Sequence, residues 1–426
     1  MSSFSTPDIV TADAADLAAF DALFVQSSAI GATAKGGLHR LAASAEDGAM
    51  RDAFCAWLRE RDFEVRIDAV GNVFGLLTFD PEAPYVVCGS HLDSQPNAGR
   101  FDGIYGVLAG AVSVASVARQ LRERGETPAF NLAVVNWTNE EGARFQPSLI
   151  GSSAFMGSLS VDDALAARDG DGITLGHALE LIGYRGDGML NLPIAAYLEL
   201  HVEQSTHLES QGLAIGVVRE TWAALKWRVR FDGEQNHTGP APMAVRRDAL
   251  LAAAHAIVAV RAESALHGLQ MHSSVGRLEV QPNSPNVVPA LTRLLVEYRS
   301  PSVQLLAEAG ERLRATLDSI ATSTGTGFTL ESELLREPSR LHDGLSELAL
   351  ATCAELGLAA ENSVTVAGHD AISVSRRYPV SLLFVPSRGG LSHNEAEFTE
   401  SADLHRGLEL LTSLLYRACC QPDRYL

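Results

Sequence analysis

Apolar positions along the first 210 residues fall alternately into helical and strand periods. Residues 12–26 and 45–61 read as helices, the second through Met50, Phe54, Trp57 and Leu58 at helical spacing. Short apolar runs at 85–90 (YVVCGS), 131–137 (NLAVVNW) and 195–201 (AAYLELH) read as buried strands, and a helix over 104–121 follows the first. Strands alternating with helices predict an α/β domain, a mostly parallel sheet flanked by helices.

Between about 218 and 333 the pattern changes. Leu225, Trp227, Val229 and Phe231 alternate with Lys226, Arg228, Arg230 and Asp232, as in a half-exposed strand. A helix at 244–262, strands at 274–280 and 291–299, a helix at 303–322 and a strand at 327–334 complete a β-α-β-β-α-β order. That order predicts an inserted ferredoxin-like α+β domain, an open four-stranded sheet with two helices on one face. The α/β pattern then resumes with a helix at 345–356, a strand at 380–385 and a helix at 401–418. The expected organisation is therefore one domain from 1–217 and 334–426, and a second from 218–333.

Composition narrows the partners. The chain has 426 residues, 46% of them hydrophobic and 20% charged, which suits large buried cores and excludes long disorder. Its 52 acidic and 33 basic residues leave a net charge of −19, a field that repels nucleic acid and anionic membranes. No Lys or Arg precedes Lys35, whereas Asp8, Asp13 and Asp16 do, so a positively charged leader is not expected. The apolar stretch 104–118 is shorter than the roughly 20 residues needed to span a bilayer. Five cysteines without CxxC spacing read as reduced packing thiols, and the cytoplasm is the expected compartment.

Four polar clusters each follow an apolar strand run: His91-Leu-Asp93, Asn139-Glu140-Glu141, His201-Val-Glu203-Gln204 and Ser392-His393-Asn394-Glu395. Ligands of open α/β sheets gather at the carboxyl ends of the strands, so four distant segments deliver His, Asp and Glu to one rim. Any one cluster also reads as a hydrogen-bonded strand-end His or as solvated charge. Together they offer three imidazoles and enough carboxylates for two zinc-type ions sharing a carboxylate. Asp102, next to Gly103 and directly before a helix, stands in the loop after His91.

These residues carry a resemblance. GSHLDSQPNAGRFDGIYGV (89–107), TNEEGARF (138–145), HVEQSTHLE (201–209), NHTGPAPM (236–243), PNSPNVVPA (282–290), EYRS (297–300), AGHDA (367–371) and SRGGLSHNEAE (387–397) keep their order. In this the chain resembles the N-carbamoyl-L-amino-acid hydrolase group, which includes allantoate amidohydrolase and β-ureidopropionase, within the dinuclear-zinc aminoacylases and carboxypeptidases. The resemblance implies hydrolysis of a ureido C–N bond in a small-molecule ureido acid, with two divalent ions per subunit. Zinc is the expected metal, with manganese, cobalt or nickel as alternatives. It implies that His91 and His201 each bind one ion, that Asp102 bridges them, and that Glu141 and His393 complete the two sets. It further implies that Glu140 is the general base and that Asp93 orients His91. The inserted domain is implied to serve as lid and homodimer interface, His237 stabilising the oxyanion in the other subunit's site. Gln204, Asn286, Arg299 and the Gly389-Gly390 backbone are implied to hold substrate, Arg299 by its carboxylate.

Plainer readings stand beside these. Asn286, near Pro285 and Pro289, also reads as a turn residue, Arg299 as a strand-end charge, and His369-Asp370 as a helix start. The chain also departs from the group's usual pattern. Ala98-Gly99 stands for Gly-Gly, Ser205-Thr206 for Gly-Pro, and NHTG for NHAG. None of these removes an expected ligand or the base. Among rivals, a dinuclear aminopeptidase or deacylase is disfavoured by Gly-Ile-Tyr-Gly after Asp102, and a scaffold without catalysis by the filled ligand and base positions. Allantoate is the main alternative substrate.

Overall fold

Asp13 opens the first helix by accepting the amides of Ala15 and Asp16, while the Asp16 carboxylate accepts the Asp13 amide. This reciprocal cap starts the helix at Ala14 and carries it to Ala29, later than the apolar spacing alone indicates. The computed structural model describes residues 10–425. Residues 1–9, with the early Asp8, and Leu426 lie outside the described residues.

Four fully paired strands form the middle of the larger sheet. Tyr85–His91 pairs parallel with Asn131–Trp137 on one side and Ile194–Val202 on the other, and Val380–Val385 adds parallel to the last. The first three, with Val380–Val385, are buried along nearly their whole length, as a sheet covered on both faces requires. The predicted α/β fold with flanking helices is therefore found, but the sheet is mixed rather than mostly parallel, because antiparallel pairings flank the three parallel ones on both sides. Strands not foreseen extend it to eight: Glu64–Ile67 and Val73–Leu77 at one edge, Ile215–Thr221 and Ala360–Thr365 at the other. Glu64–Ile67 alternates but spans only four residues, and the other three, one with Gly75 inside it, show no clear period of two.

Helix Ile104–Arg124 packs on a face of that sheet and against helices Ala14–Ala29 and Ser401–Cys420, the latter also touching the sheet. By length and composition it is long and apolar enough to cross a bilayer, because it runs past the 104–118 stretch. Burial accounts for that composition: 83% of its apolar window lies inside the protein.

The chain divides into two compact units. The larger runs to Arg219 and continues over Leu341–Val364 and from Gly368; the smaller is Glu220–Arg340 with Thr365–Ala367. Residue 218, where the pattern was read to change, lies inside Ile215–Thr221, which pairs with Val380–Val385 in the larger sheet.

Within the smaller unit four antiparallel strands lie in the order Gly327–Arg336, Ala223–Asp232, Leu291–Ser300, His272–Gln281. Helices Ala249–Ala265 and Val303–Thr324 cover one face, burying Trp227, Val229, Phe231, Leu306, Leu313 and Leu317. The first helix begins at Ala249 rather than 244. Asp248 caps the amides of Leu250 and Leu251, and Met243–Val245 forms only a single 3-10 turn.

Candidate metal centre and active site

His91 is the last residue of Tyr85–His91, and His201 lies opposite Phe384 near the end of Ile194–Val202. Parallel pairing sets these strand ends side by side. Both imidazoles are locked in one tautomer: Nδ1 of His91 donates to the Asp93 carbonyl at 2.9 Å, and Nδ1 of His201 to the Val202 carbonyl at 2.9 Å. In the neutral ring each Nε2 is then an acceptor, that of His201 facing the Gly103 amide at 3.1 Å. Asp93 orients His91 through its backbone; its carboxylate stands 3.8 Å away and accepts the Glu140 amide instead.

Asp102 lies between two groups of ligand-type atoms. Its Oδ1 is 3.0 Å from His201 Nε2 and 3.8 Å from His91 Nε2. Its Oδ2 is 3.2 Å from His393 Nε2, which also stands 3.3 Å from Glu141. His91 and His201 thus share one group with Asp102, and Glu141 and His393 the other. This pairing differs from the one implied by the motifs, which placed His91 and His201 on separate ions. Neighbouring strand ends bring the two imidazoles to the same oxygen.

Gly103 makes this approach possible. It adopts φ +69°, and a Cβ there would fall 2.1 Å from His91 Nε2. Helix Ile104–Arg124 follows at once, so Asp102 sits on the last turn of loop before a rigid element.

The donor set fits a divalent cation. An acceptor nitrogen 3.0 Å from a carboxylate oxygen is a repulsive pair unless a cation or a proton lies between them. With protons in that role, burial opposes the charge, but the bonds and charge of Asp102 raise His201 to about 9. Burial likewise opposes charge on His393, which Asp102 and Glu141 raise to about 11. Burial pushes Glu140 well above the usual carboxylate range, reinforced by Asp370, Glu141, Asp102 and Asp93. Burial does the same to Asp93, reinforced by Asp47 and Glu141. So many buried carboxylates around acceptor imidazoles ask for positive charge.

Glu140 Oε2 stands 3.5 Å from His91 Nε2, and its carboxylate is held by no hydrogen bond among the described residues. Gln204 Nε2 donates to Asp102 Oδ2 at 2.8 Å, while its Oε1 is buried without a partner. Gly389 and Gly390 form a turn with φ near +60°, and the Gly389 amide donates to Glu209 at 2.7 Å. His369 is the residue before the short helix Asp370–Val374, as its plainer reading held, and its ring packs edge-on against His201 at 4.6 Å.

Several neighbours had no role assigned from the sequence. Gln95 holds both oxygens of Glu141 through its amide and side chain, at 3.2 and 3.0 Å. Ser392 donates to Asp102 Oδ2 at 2.8 Å. Glu199 lies buried beneath His201, accepting from Ser90 and the Ala371 amide. A glutamate inside the apolar run AAYLELH was the available signal for it.

The remaining candidates lie in the smaller unit. Asn236–His237 pairs with Val287–Val288, and Thr238 donates to the Asn286 carbonyl, so His237 and Asn286 are neighbours. His237 is exposed, its Nδ1 accepting the Gly239 amide. Arg299 is held by Glu297, through Nε at 3.0 Å and Nη2 at 3.2 Å, and by the Val366 carbonyl at 2.6 Å.

A parallel-cored sheet whose strand ends gather imidazoles and carboxylates about one buried aspartate is the framework of a metal-assisted hydrolase. The chain belongs to peptidase family M20/M25/M40, whose model matches residues 87–417. It is 34% identical over 393 residues to allantoate amidohydrolase of Bacillus subtilis, covering 91% of this chain and 94% of that protein. It is 34% identical over 377 residues to N-carbamoyl-L-amino-acid amidohydrolase of Rhizobium meliloti, covering 88% and 89%. An amidase of the hydantoinase/carbamoylase family from Burkholderia vietnamiensis matches with a TM-score of 0.91 and 36% identity, covering 97% of this chain and 99% of that one. The protein is an amidohydrolase of this family, a hydrolase acting on amide C–N bonds. The family and the His91–Asp102–His201 cluster together indicate divalent metal.

Proposed function

We propose that the protein hydrolyses the carbamoyl C–N bond of N-carbamoyl-L-amino acids, releasing amino acid, carbon dioxide and ammonia. The observation that carries this reading is the sharing of Asp102 by two ligand groups, with Glu140 beside them, 3.5 Å from His91. His91, Asp102 and His201 would hold one divalent ion, and Asp102, Glu141 and His393 the second, zinc being the proposed metal. When bound, such ions polarise a carbonyl and acidify water.

The chain's own residues supply the rest. Glu140 is the proposed base: buried, with no hydrogen bond to its carboxylate among the described residues, it would take a proton from water and pass it to the leaving nitrogen when nearby cations hold it ionised. Gln204 keeps an unpaired buried carbonyl oxygen, an acceptor suited to a ureido N–H. Arg299 has five N–H donors, of which Glu297 and Val366 engage three. One donor remains on each terminal nitrogen, the fork that pairs with a substrate carboxylate. His237 is assigned to the oxyanion, Asn286 and the Gly389-Gly390 backbone to further substrate contacts. The larger role proposed for the smaller unit is lid and homodimer interface, and the proposed compartment is the cytoplasm.

Steady-state rates on N-carbamoyl-L-amino acids, N-carbamoyl-β-alanine, allantoate and N-acyl amino acids, with zinc, manganese, cobalt or nickel added, test the reading. The highest kcat/KM is expected on an N-carbamoyl-L-amino acid. Allantoate is the second reading, supported by the equal identity to a relative of that name. A preference for N-acyl amino acids or dipeptides overturns both.

A further inference from the structure

Glu397 has no part in the roles assigned above, yet it joins two loops that carry ligand-type residues. It lies four residues after His393 and is buried at 4% exposure. Its Oε1 accepts the backbone amides of Phe101 and Asp102, at 3.1 and 3.0 Å. Its Oε2 stands 3.3 Å from Ser392 Oγ, whose hydroxyl is also 2.8 Å from Asp102 Oδ2. Gly99 leaves the space for this seat: a Cβ there would lie 2.3 Å from the Glu397 carboxyl carbon. Ser392 is tied to Asp102 a second way, through Gln204 Nε2, which donates to the two at 3.1 and 2.8 Å, while Ser387 bonds the Glu203 carbonyl, Gly389 Glu209, and Glu395 Thr33 and Lys35.

The two ligand groups are not equally well held. His91 and His201 stand on neighbouring parallel strands and are buried to 1% exposure. His393 stands on a loop, in the left-handed region at φ +54°, with its side chain 47% exposed. In the first group only Asp102 comes from a loop, whereas in the second Asp102, Glu141 and His393 all do. The second depends on how firmly the His393 loop is drawn to Asp102.

We propose that Glu397 is a positioning residue, a latch that sets the Asp102-to-His393 spacing and thereby the affinity of the Asp102–Glu141–His393 group for its cation. This rests on the two-cation reading above. The latch works through hydrogen bonds, two accepted from the Asp102 loop and one shared with Ser392, rather than through charge. A glutamine can make all three, because its Oε1 accepts the amides and its Nε2 donates to Ser392. An alanine makes none.

The test is a zinc titration of the metal-stripped full chain in competition with a chromophoric chelator, with thermal melting of each variant alongside. Wild type is expected to take two ions per chain. Glu397→Ala should keep one tight ion and bind the other about 10–100-fold more weakly, the usual effect of losing a group that orients ligands. Glu397→Gln should stay near wild type. Gly99→Ala should behave as Glu397→Ala although the carboxylate is still present, because it fills the seat. If Glu397→Ala does not fold, Gly99→Ala and Glu397→Gln decide the matter. Unchanged affinity for both ions in Glu397→Ala and Gly99→Ala, equal weakening of both ions, or a Glu397→Gln as weak as Glu397→Ala overturns the latch. A wild type that saturates below two ions overturns instead the reading beneath it.

Discussion

The larger unit buries most of its candidate ligand and base residues, His393 being the exposed one, whereas the smaller unit leaves its own largely exposed. His91, Asp93, Asp102, Glu140 and His201 are all buried at the strand ends, each within reach of another member of the set. His237 and Asn286 are exposed on a two-residue ladder and its turn, and Arg299 keeps two donors beyond those its own unit engages. The contrast follows from two chemical tasks. Groups that stabilise developing charge or move protons act most strongly where water is excluded and geometry is set beforehand. Groups that recognise a substrate must keep donors unspent until it arrives. Under the proposed roles, burial goes with chemistry in one unit and unsatisfied capacity with recognition in the other.

The largest effect that sharpens this comparison is expected at Glu140. Glu140→Gln keeps the shape of the side chain but removes the proton acceptor, and kcat should fall by about 10²–10⁴-fold with metal content unchanged. Glu141→Gln, one residue away, should instead lower metal content, because Glu141 shares its group with Asp102 and His393. Metal analysis beside turnover separates the two. Exchanged phenotypes would show that adjacent carboxylates have the reverse of the assigned roles.

Arg299 comes next, in the recognition half of the comparison. Arg299→Ala should cost about 2–5 kcal/mol in kcat/KM for a substrate with a carboxylate. An amide of the same substrate should be poor with wild type and little affected by the change. Equal losses on both substrates would mean that Arg299 serves only to hold Glu297, whose carboxylate burial would raise but Arg299 and Lys226 keep below its usual range.

The same contrast explains what was legible in the sequence. Buried parallel strands announce themselves as apolar runs, and the four that form the middle of the larger sheet were readable from YVVCGS, NLAVVNW, AAYLELH and the run at 380–385. The polar residues just after those runs had to meet at one rim. Which imidazole pairs with which carboxylate was not legible, because it depends on strand order, and Tyr85–His91 lying between Asn131–Trp137 and Ile194–Val202 is a tertiary outcome. The edge strand Glu64–Ile67 does alternate, as EVRI, but four residues are too few for a period of two to stand out. Gln95 and Glu397 stood inside recognisable motifs, but their bonds span 46 and about 296 positions of chain, which no local pattern encodes. Capping did move helix starts in ways that can be read: Asp13 and Asp248 are both N-cap residues that apolar spacing passes over.

The smallest effect on folding, and the sharpest use of exposure as a signal, is expected on helix Ala249–Ala265. Leu251, Val258 and Leu266 recur at seven and eight residues, about two helical turns apart, and so share a face. They are 48%, 68% and 74% exposed, and Leu269 just beyond is 89% exposed, while the opposite face packs on the sheet through Ala252, Ala253, Ala256 and Val260. The edge strand His272–Gln281 of the same unit is hydrogen-bonded on one side only. An apolar stripe beside an open strand edge is the surface expected to meet a second copy of the chain, which can cover the stripe and extend the sheet together. Replacing Val258 and Leu266 with Ser removes apolar contact without touching the packed face, so stability of the isolated chain should change by no more than about 0.5 kcal/mol per site. Sedimentation at micromolar concentration should nevertheless shift from dimer to monomer. A wild type that is already monomeric removes the basis for the proposed interface. A large loss of monomer stability in the double variant would show instead that the stripe packs within its own unit, and exposure would then mark nothing there.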